Sequence, residues 1–243
     1  MLDPMTATST ITLDTPDGPM PAFLTEPDGP PIGGVVVIQE AFGLTGHIER
    51  VTTALADAGY TAVAPALFHR SGAPVFSYDD MSQLGPVIMA MTGEGIVADV
   101  DAALAALSER GIARPTQAII GFCMGGSVAC AAAARLALGA AVTFYGGGVT
   151  TGRFGLPALV DVAPRLRTPW LGLYGDLDAH IPSEEVEQLR AAAAQAPVPT
   201  EVVRYAEADH GFHCDERPSF HPASSADAWS RTLAFLGDHL VTG

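Results

Sequence analysis

Apolar residues along the chain fall into two kinds of run. Short strand-like runs occur at Val35–Ile38, Thr61–Leu67, Ala118–Ile120, Ala140–Tyr145, Trp170–Tyr174 and Glu201–Tyr205. The unbroken β-branched ones suit strands buried on both faces. Between them lie stretches with helical character: Gly46–Ala58 (Ile48, Val51, Leu55), Gly95–Ser108 (Val97, Val100, Leu104, Leu107), alanine-rich Val128–Ala137, Ser183–Ala194 and Ala223–Leu240. Ser183 is placed to cap its helix, with Glu184 and Glu185 in the first turn. At the front, Ile11–Leu13 and Met20–Thr25 flank the turn signal Pro16-Asp17-Gly18-Pro19 and predict an edge hairpin. Strand and helix alternate after that hairpin. The pattern predicts an α/β protein with a mostly parallel central sheet, helices on both faces, and functional groups at the C-terminal ends of the strands. Ser71–Gly93 and Val149–Leu166 are irregular, and the first is expected to be a surface excursion over the site.

Composition narrows the partners. The 243 residues show no repeat, linker or composition break, so one domain over 11–241 is expected, preceded by a flexible extension at 1–10. Either Met1 or Met5 could be the natural start. The formal charge of −15 and pI of about 4.6 argue against nucleic acid and anionic membrane surfaces. There is no lysine: all 12 fixed side-chain cations are arginines. A lysine Schiff base and a lysine phosphate-binder are therefore excluded, and an anionic substrate has to be met by specific arginines. Cys123, Cys130 and Cys214 do not suggest a disulfide framework. No secretory signal or apolar run of spanning length is evident, which leads us to expect a cytoplasmic protein, monomeric or a small homo-oligomer.

The chemistry centres on Ala118-Ile119-Ile120-Gly121-Phe122-Cys123-Met124-Gly125-Gly126-Ser127. It reads as a buried strand, a tight glycine-flanked turn and the first turn of a helix. G-x-C-x-G is the nucleophile-elbow pattern with sulfur in place of the usual serine oxygen. The glycines let strand and helix backbones pass close to a strained apex residue. The helix N-terminus behind the sulfur favours the reactive thiolate. Three further strand ends carry Glu40, Asp178 and His210. The order Cys…Asp…His is the nucleophile…acid…base order of the α/β-hydrolase fold.

Val35–Gly43 (with its Gln39-Glu40 ending), Gly121–Gly126 and Ala208-Asp209-His210-Gly211-Phe212 together resemble the dienelactone hydrolase family, the carboxymethylenebutenolidases, over Ile11 to Leu240. The resemblance implies an α/β-hydrolase fold and a cofactor-free cysteine hydrolase. Such an enzyme opens an enol-lactone through a thioester, with maleylacetate as product in aromatic degradation. It casts Cys123 as nucleophile, His210 as base and proton donor, and Asp178 as the residue orienting it. The amides of Met124 and Ala41 would form the oxyanion hole, and Glu40 would help deprotonate the thiol once substrate is bound. Family members hold the substrate carboxylate with arginines. Arg70 fits one such place. The other, four residues after the histidine, is Cys214 here, with Arg217 the nearest arginine.

Competing readings accompany each residue. Asp176 competes with Asp178, and His213 with His210. His210, His213, Cys214 and Asp215 could be read as metal ligands, but they crowd one loop without a second ligand pair, so no metal is expected. Cys130 fits a core position and Cys214 a structural one. Gly146-Gly147-Gly148 lacks the lysine of a phosphate loop. Arg70 and Arg217 could be solvated surface residues. Within the class the rival is a promiscuous carboxylesterase or thioesterase; outside it, a non-enzymatic ligand-binding or thiol-sensor protein on the same fold.

Overall fold

The computed structural model describes residues 8–240. In chain order the strands are β1 (Ser9–Thr15), β2 (Gly18–Thr25), β3 (Gly33–Ile38), β4 (Tyr60–Pro65), β5 (Gln117–Phe122), β6 (Ala140–Phe144), β7 (Trp170–Gly175) and β8 (Thr200–Tyr205). The helices are α1 (Gly46–Asp57), α2 (Leu84–Met89), α3 (Gly93–Glu109), α4 (Met124–Arg135), α5 (Leu159–Val162), α6 (Ser183–Ala193) and α7 (Pro222–His239).

All eight strands form one sheet in the order β1-β2-β4-β3-β5-β6-β7-β8. β1 and β2 pair antiparallel, and β2 joins β4 antiparallel. Every pairing from β4 to β8 is parallel. Val35, Val36, Val37 and Ile38 are all fully buried, so β3 is covered on both faces, as its unbroken apolar run predicted. This is the mostly parallel α/β sheet expected from the alternation of elements, in the α/β-hydrolase arrangement that the resemblance implies.

The differences are local. The hairpin starts at Ser9, two residues into the expected extension, with Thr15 paired to Gly18 across the turn. Thr8 precedes it, and residues 1–7 of the extension and Val241 lie outside the described residues. The Ser71–Gly93 excursion contains a short helix, α2. Ser183 is the first residue of α6 and Pro182 its cap, without a side-chain capping bond. α4 begins at Met124, so the helix starts directly at the elbow. Among the described residues no helix is long and apolar enough to cross a membrane.

Candidate active site

The elbow is built by close approach. Adding a Cβ to Gly121 would drive it into the Gly125 carbonyl, and a Cβ on Gly125 would strike the carbonyls of Ile38 and Gln39. Only glycine lets α4 start beneath β5 and beside the end of β3. Between them Cys123 adopts φ 54° and ψ −117°, a conformation that a residue bearing a Cβ enters at a cost of about 1–3 kcal/mol. Its N–H donates to the Phe144 carbonyl at 3.0 Å. The side chain is left partly exposed, at the N-terminus of α4.

His210 and Asp178 meet there from the loops after β8 and β7. His210 Nδ1 lies 2.6 Å from Asp178 Oδ2, and Asp178 Oδ1 accepts the His180 N–H at 2.8 Å. Burial would raise the Asp178 pKa, but the His210 hydrogen bond and charge outweigh it and hold it below its ordinary value. For His210 burial acts downward. The charge of Cys123 and the bonds to Asp178 and Cys123 overcome it and raise the imidazole to about 10. His210 is thus held by the carboxylate on one side and shares the cavity lining with Cys123 on the other. Asp176, the competing acid, is engaged by Arg204 at 2.6 Å. His213, the competing histidine, is stacked on Phe122 (5.6 Å) and Trp229 (5.6 Å), with Ser225 Oγ 2.8 Å from its Nδ1.

A cavity of about 250 Å³ opens over the sulfur. Its walls include Cys123, Ala41, Met124, His210, Arg217 and Arg153. Its volume lies just below the usual range of small-molecule sites, roughly 300–1,000 Å³. The amides of Ala41 and Met124 have no acceptor among the described residues, and both residues line the cavity with Cys123. Phe42, Leu84, Ile88 and Phe154 make much of the remaining surface apolar. A second hollow, of about 370 Å³, shares His180, His210 and Arg217.

Glu40 sits just past β3 and is fully buried. Its carboxylate accepts from the Tyr78 hydroxyl at 2.9 Å and from Arg217 Nη1 at 3.2 Å. Burial raises its pKa, and Arg217 and Tyr78 pull against that rise. In this resting arrangement Glu40 is therefore held by an arginine and a tyrosine. Arg217 also lies over the rings of Phe42 (5.7 Å) and Tyr78 (5.8 Å). It stands in the cavity wall and not on the surface.

Arg70, expected to bind substrate, is not among the residues lining this cavity. Its guanidinium is occupied by buried Asp99 (2.7 Å) and by Asp17 (2.8 Å), and it borders a separate crevice of only about 10 Å³. The other wall arginine is Arg153, in the loop after β6, which sequence reading missed. It lies 5.4 Å over the Phe154 ring and has no carboxylate partner among the described residues. Tyr78 and His180 were missed as well. For His180 a signal existed: Asp178-Ala179-His180 forms an Asx turn. Tyr78 lies in the irregular excursion, where no periodicity pointed to it.

Among the described residues, one group has the spacing for a metal ion: His47, Cys214 and Asp215, with atoms within 4.8 Å of one another. Arg50 already occupies Asp215 at 2.6 Å, and burial pushes the Cys214 thiol up to about 11. That favours the protonated, non-ligating form. His210 and His213 are not part of the group.

Comparison with known proteins identifies the family. The profile of the "Dienelactone hydrolase family" matches residues 20–240. The "Putative carboxymethylenebutenolidase" of Yersinia pestis is 38% identical over 230 residues, covering 92% of this chain and 85% of that protein. Its counterpart in Escherichia coli O157:H7 is 39% identical over 222 residues, covering 89% and 82%. The crystal structure titled "Putative Dienelactone Hydrolase from Klebsiella pneumoniae" superposes with a TM-score of 0.87 at 35% identity, covering 95% of this chain and 98% of that one. On this similarity of sequence and fold, the chain is an ester- or lactone-hydrolysing enzyme and belongs to the dienelactone hydrolase family.

Proposed function

We propose that this enzyme is a cysteine-dependent hydrolase that opens a small anionic lactone of the dienelactone type, or an equivalent ester, through a thioester. The observation that carries the reading is the single cavity wall on which Cys123, His210 and the free amides of Ala41 and Met124 stand together. With the proton carried by His210 Nε2, the Cys123 sulfur attacks the substrate carbonyl carbon. The tetrahedral oxyanion is received by the two amides. Collapse breaks the acyl carbon–oxygen bond, and His210 returns the proton to the departing oxygen. In a lactone that oxygen stays tethered. Water then adds to the thioester, giving its proton to His210, and the carboxylic acid leaves as the thiol reforms. Asp178 holds the imidazole in the tautomer that keeps Nε2 free for these transfers. Glu40 takes part once Arg217 turns from it toward the substrate anion.

Arg217 and Arg153 support the anionic character of the substrate. The net charge of −15 repels anions overall, yet two arginines line this one cavity. The reading is tested by hydrolysis of cis- and trans-dienelactone beside p-nitrophenyl acetate. Lactone opening by the wild type that vanishes in Cys123→Ala is the expected result. Ester cleavage without lactone opening favours the promiscuous esterase reading instead. Absence of any Cys123-dependent turnover removes the proposal.

A further inference from the structure

Thr45 has no role in the steps above. It is the residue before α1, where a threonine hydroxyl ordinarily accepts a hydrogen bond from an amide of the first turn. Here its side chain makes no such bond. Thr45 is buried, and its Oγ1 lies 3.0 Å from the Tyr78 hydroxyl. The direction of that bond is fixed by Tyr78, whose single proton is donated to Glu40 Oε2 at 2.9 Å. Thr45 is therefore the donor, and its hydroxyl is turned away from its own helix toward the site.

A chain of hydrogen bonds results. Thr45 donates to Tyr78, Tyr78 donates to one oxygen of Glu40, and Arg217 Nη1 donates to the other at 3.2 Å. The Tyr78 ring rests against Phe42, 4.5 Å between centroids, and Arg217 lies over both rings. Of the four linked residues, Arg217 alone lines the cavity with Cys123. Thr45, Tyr78 and Glu40 stand behind it.

Glu40 is fully buried, so a carboxylate there that lost both donors would be stranded away from water. When Arg217 turns to a substrate anion, Tyr78 is the donor that stays. A phenol whose oxygen accepts a hydrogen bond is the stronger donor, and its direction is fixed. We propose that Thr45 is a positioning residue: it holds Tyr78 on Glu40 and so allows Arg217 to leave Glu40 for the carboxylate of the substrate. No covalent bond changes in this step. The inference rests on the reading of Arg217 as the group that meets the anion.

The test is a calorimetric titration with monomethyl succinate, which carries one free carboxylate, and with dimethyl succinate, its neutral counterpart. Cys123→Ala serves as the parent, to keep the esters intact. The quantity read is the preference for the monoester, the ratio of the two dissociation constants, which damage to the whole site would leave in place. Thr45→Val keeps the branched shape without the hydroxyl, Thr45→Ser keeps the hydroxyl, and Tyr78→Phe removes the middle link. Thr45→Val should lower the preference about threefold and Tyr78→Phe about tenfold, as for a weakened and a lost hydrogen bond to a charged group. Thr45→Ser should retain it. Thr45→Val combined with Tyr78→Phe should match Tyr78→Phe alone, because Thr45 acts only through Tyr78. A preference unmoved in Thr45→Val, an equal loss in Thr45→Ser, or losses that add in the double variant overturn the proposal. The two readings fail differently. A parent without any preference removes Arg217 as the partner of the anion, and Thr45 with it; a parent that prefers the monoester, matched by Thr45→Val, removes Thr45 alone.

Discussion

At the level of single residues, the question is which arginine meets an anion. An unpaired guanidinium is free to do so, while a paired one first has to leave its carboxylate. Arg70 is bound to Asp99, which is 1% exposed, so releasing it would strand a buried charge. Arg153 lies against an aromatic ring with no carboxylate partner among the described residues, and Arg217 is shared with Glu40. A charged hydrogen bond contributes about 1.5–3 kcal/mol, or roughly 10- to 100-fold in kcat/KM. We expect Arg153→Gln to lower kcat/KM by that factor for p-nitrophenyl hemisuccinate and to leave p-nitrophenyl butyrate within about twofold. Arg70→Gln should leave the ratio of the two esters unchanged and lower the thermal midpoint, because Asp99 loses its partner. Selective loss of the hemisuccinate in Arg70→Gln would return that residue to the site. Sequence placed Arg70 correctly, just past β4, and failed on its partner: Asp99 comes from α3, and nothing along the chain shows that α3 lies beneath it. The same limit hid the Glu40–Arg217 bond, whose members stand 177 residues apart.

At the level of elements, the elbow was legible because its constraint is local. Gly121, Cys123 and Gly125 are spaced by the turn itself, and the glycines meet backbone atoms that no rotamer change can move. Gly125→Ala should therefore fail to accumulate as folded protein or melt far below wild type. Gly147→Ala is the contrast, since its added Cβ would meet only the tip of Arg153 at 3.7 Å. It should fold with a midpoint within a few degrees of wild type, as for a substitution of about 0.5 kcal/mol. Differential scanning calorimetry of the two decides it, and equal midpoints would show that the elbow can open. The alternating strands and helices were legible for the same reason, each carrying its own period. The loops were not. α2, with only Leu84 buried, has too little apolar surface to announce itself. Arg153 is positioned by Phe154 and Gly155, both at positive φ, with Gly155 packed against Gly93 at the start of α3. That placement depends on a tertiary contact and left no mark in the local sequence.

For the molecule as a whole, three histidines contribute to the dependence of stability on pH, and they pull in opposite directions. His47 is buried, His213 is partly buried, and both are neutral: loss of solvent lowers them to about 3 and about 4 from an ordinary 6.5. Below pH 6.5 the unfolded chain takes up protons that the fold refuses at these positions. Each then removes stability at about 1.4 kcal/mol per pH unit until its folded value is reached. His210 is raised to about 10, so its contribution is complete below 6.5 and is lost as pH rises toward 10. Stability should therefore peak near neutral pH and fall on both sides. Replacing His213 by Phe keeps a ring between Phe122 and Trp229 while removing the titrating group. The acid limb of the thermal midpoint between pH 4 and 6.5 should become shallower by one proton's worth, at the cost of the Ser225 bond at all pH values. Asp178→Asn should act on the other limb, flattening the loss above pH 7 and lowering kcat about 10³- to 10⁴-fold, because the imidazole is then held in the wrong tautomer. An acid limb unaltered in His213→Phe would mean that this histidine is already protonated in the folded protein. The aromatic column of Phe122, His213 and Trp229 would then hold a cation and not a neutral ring.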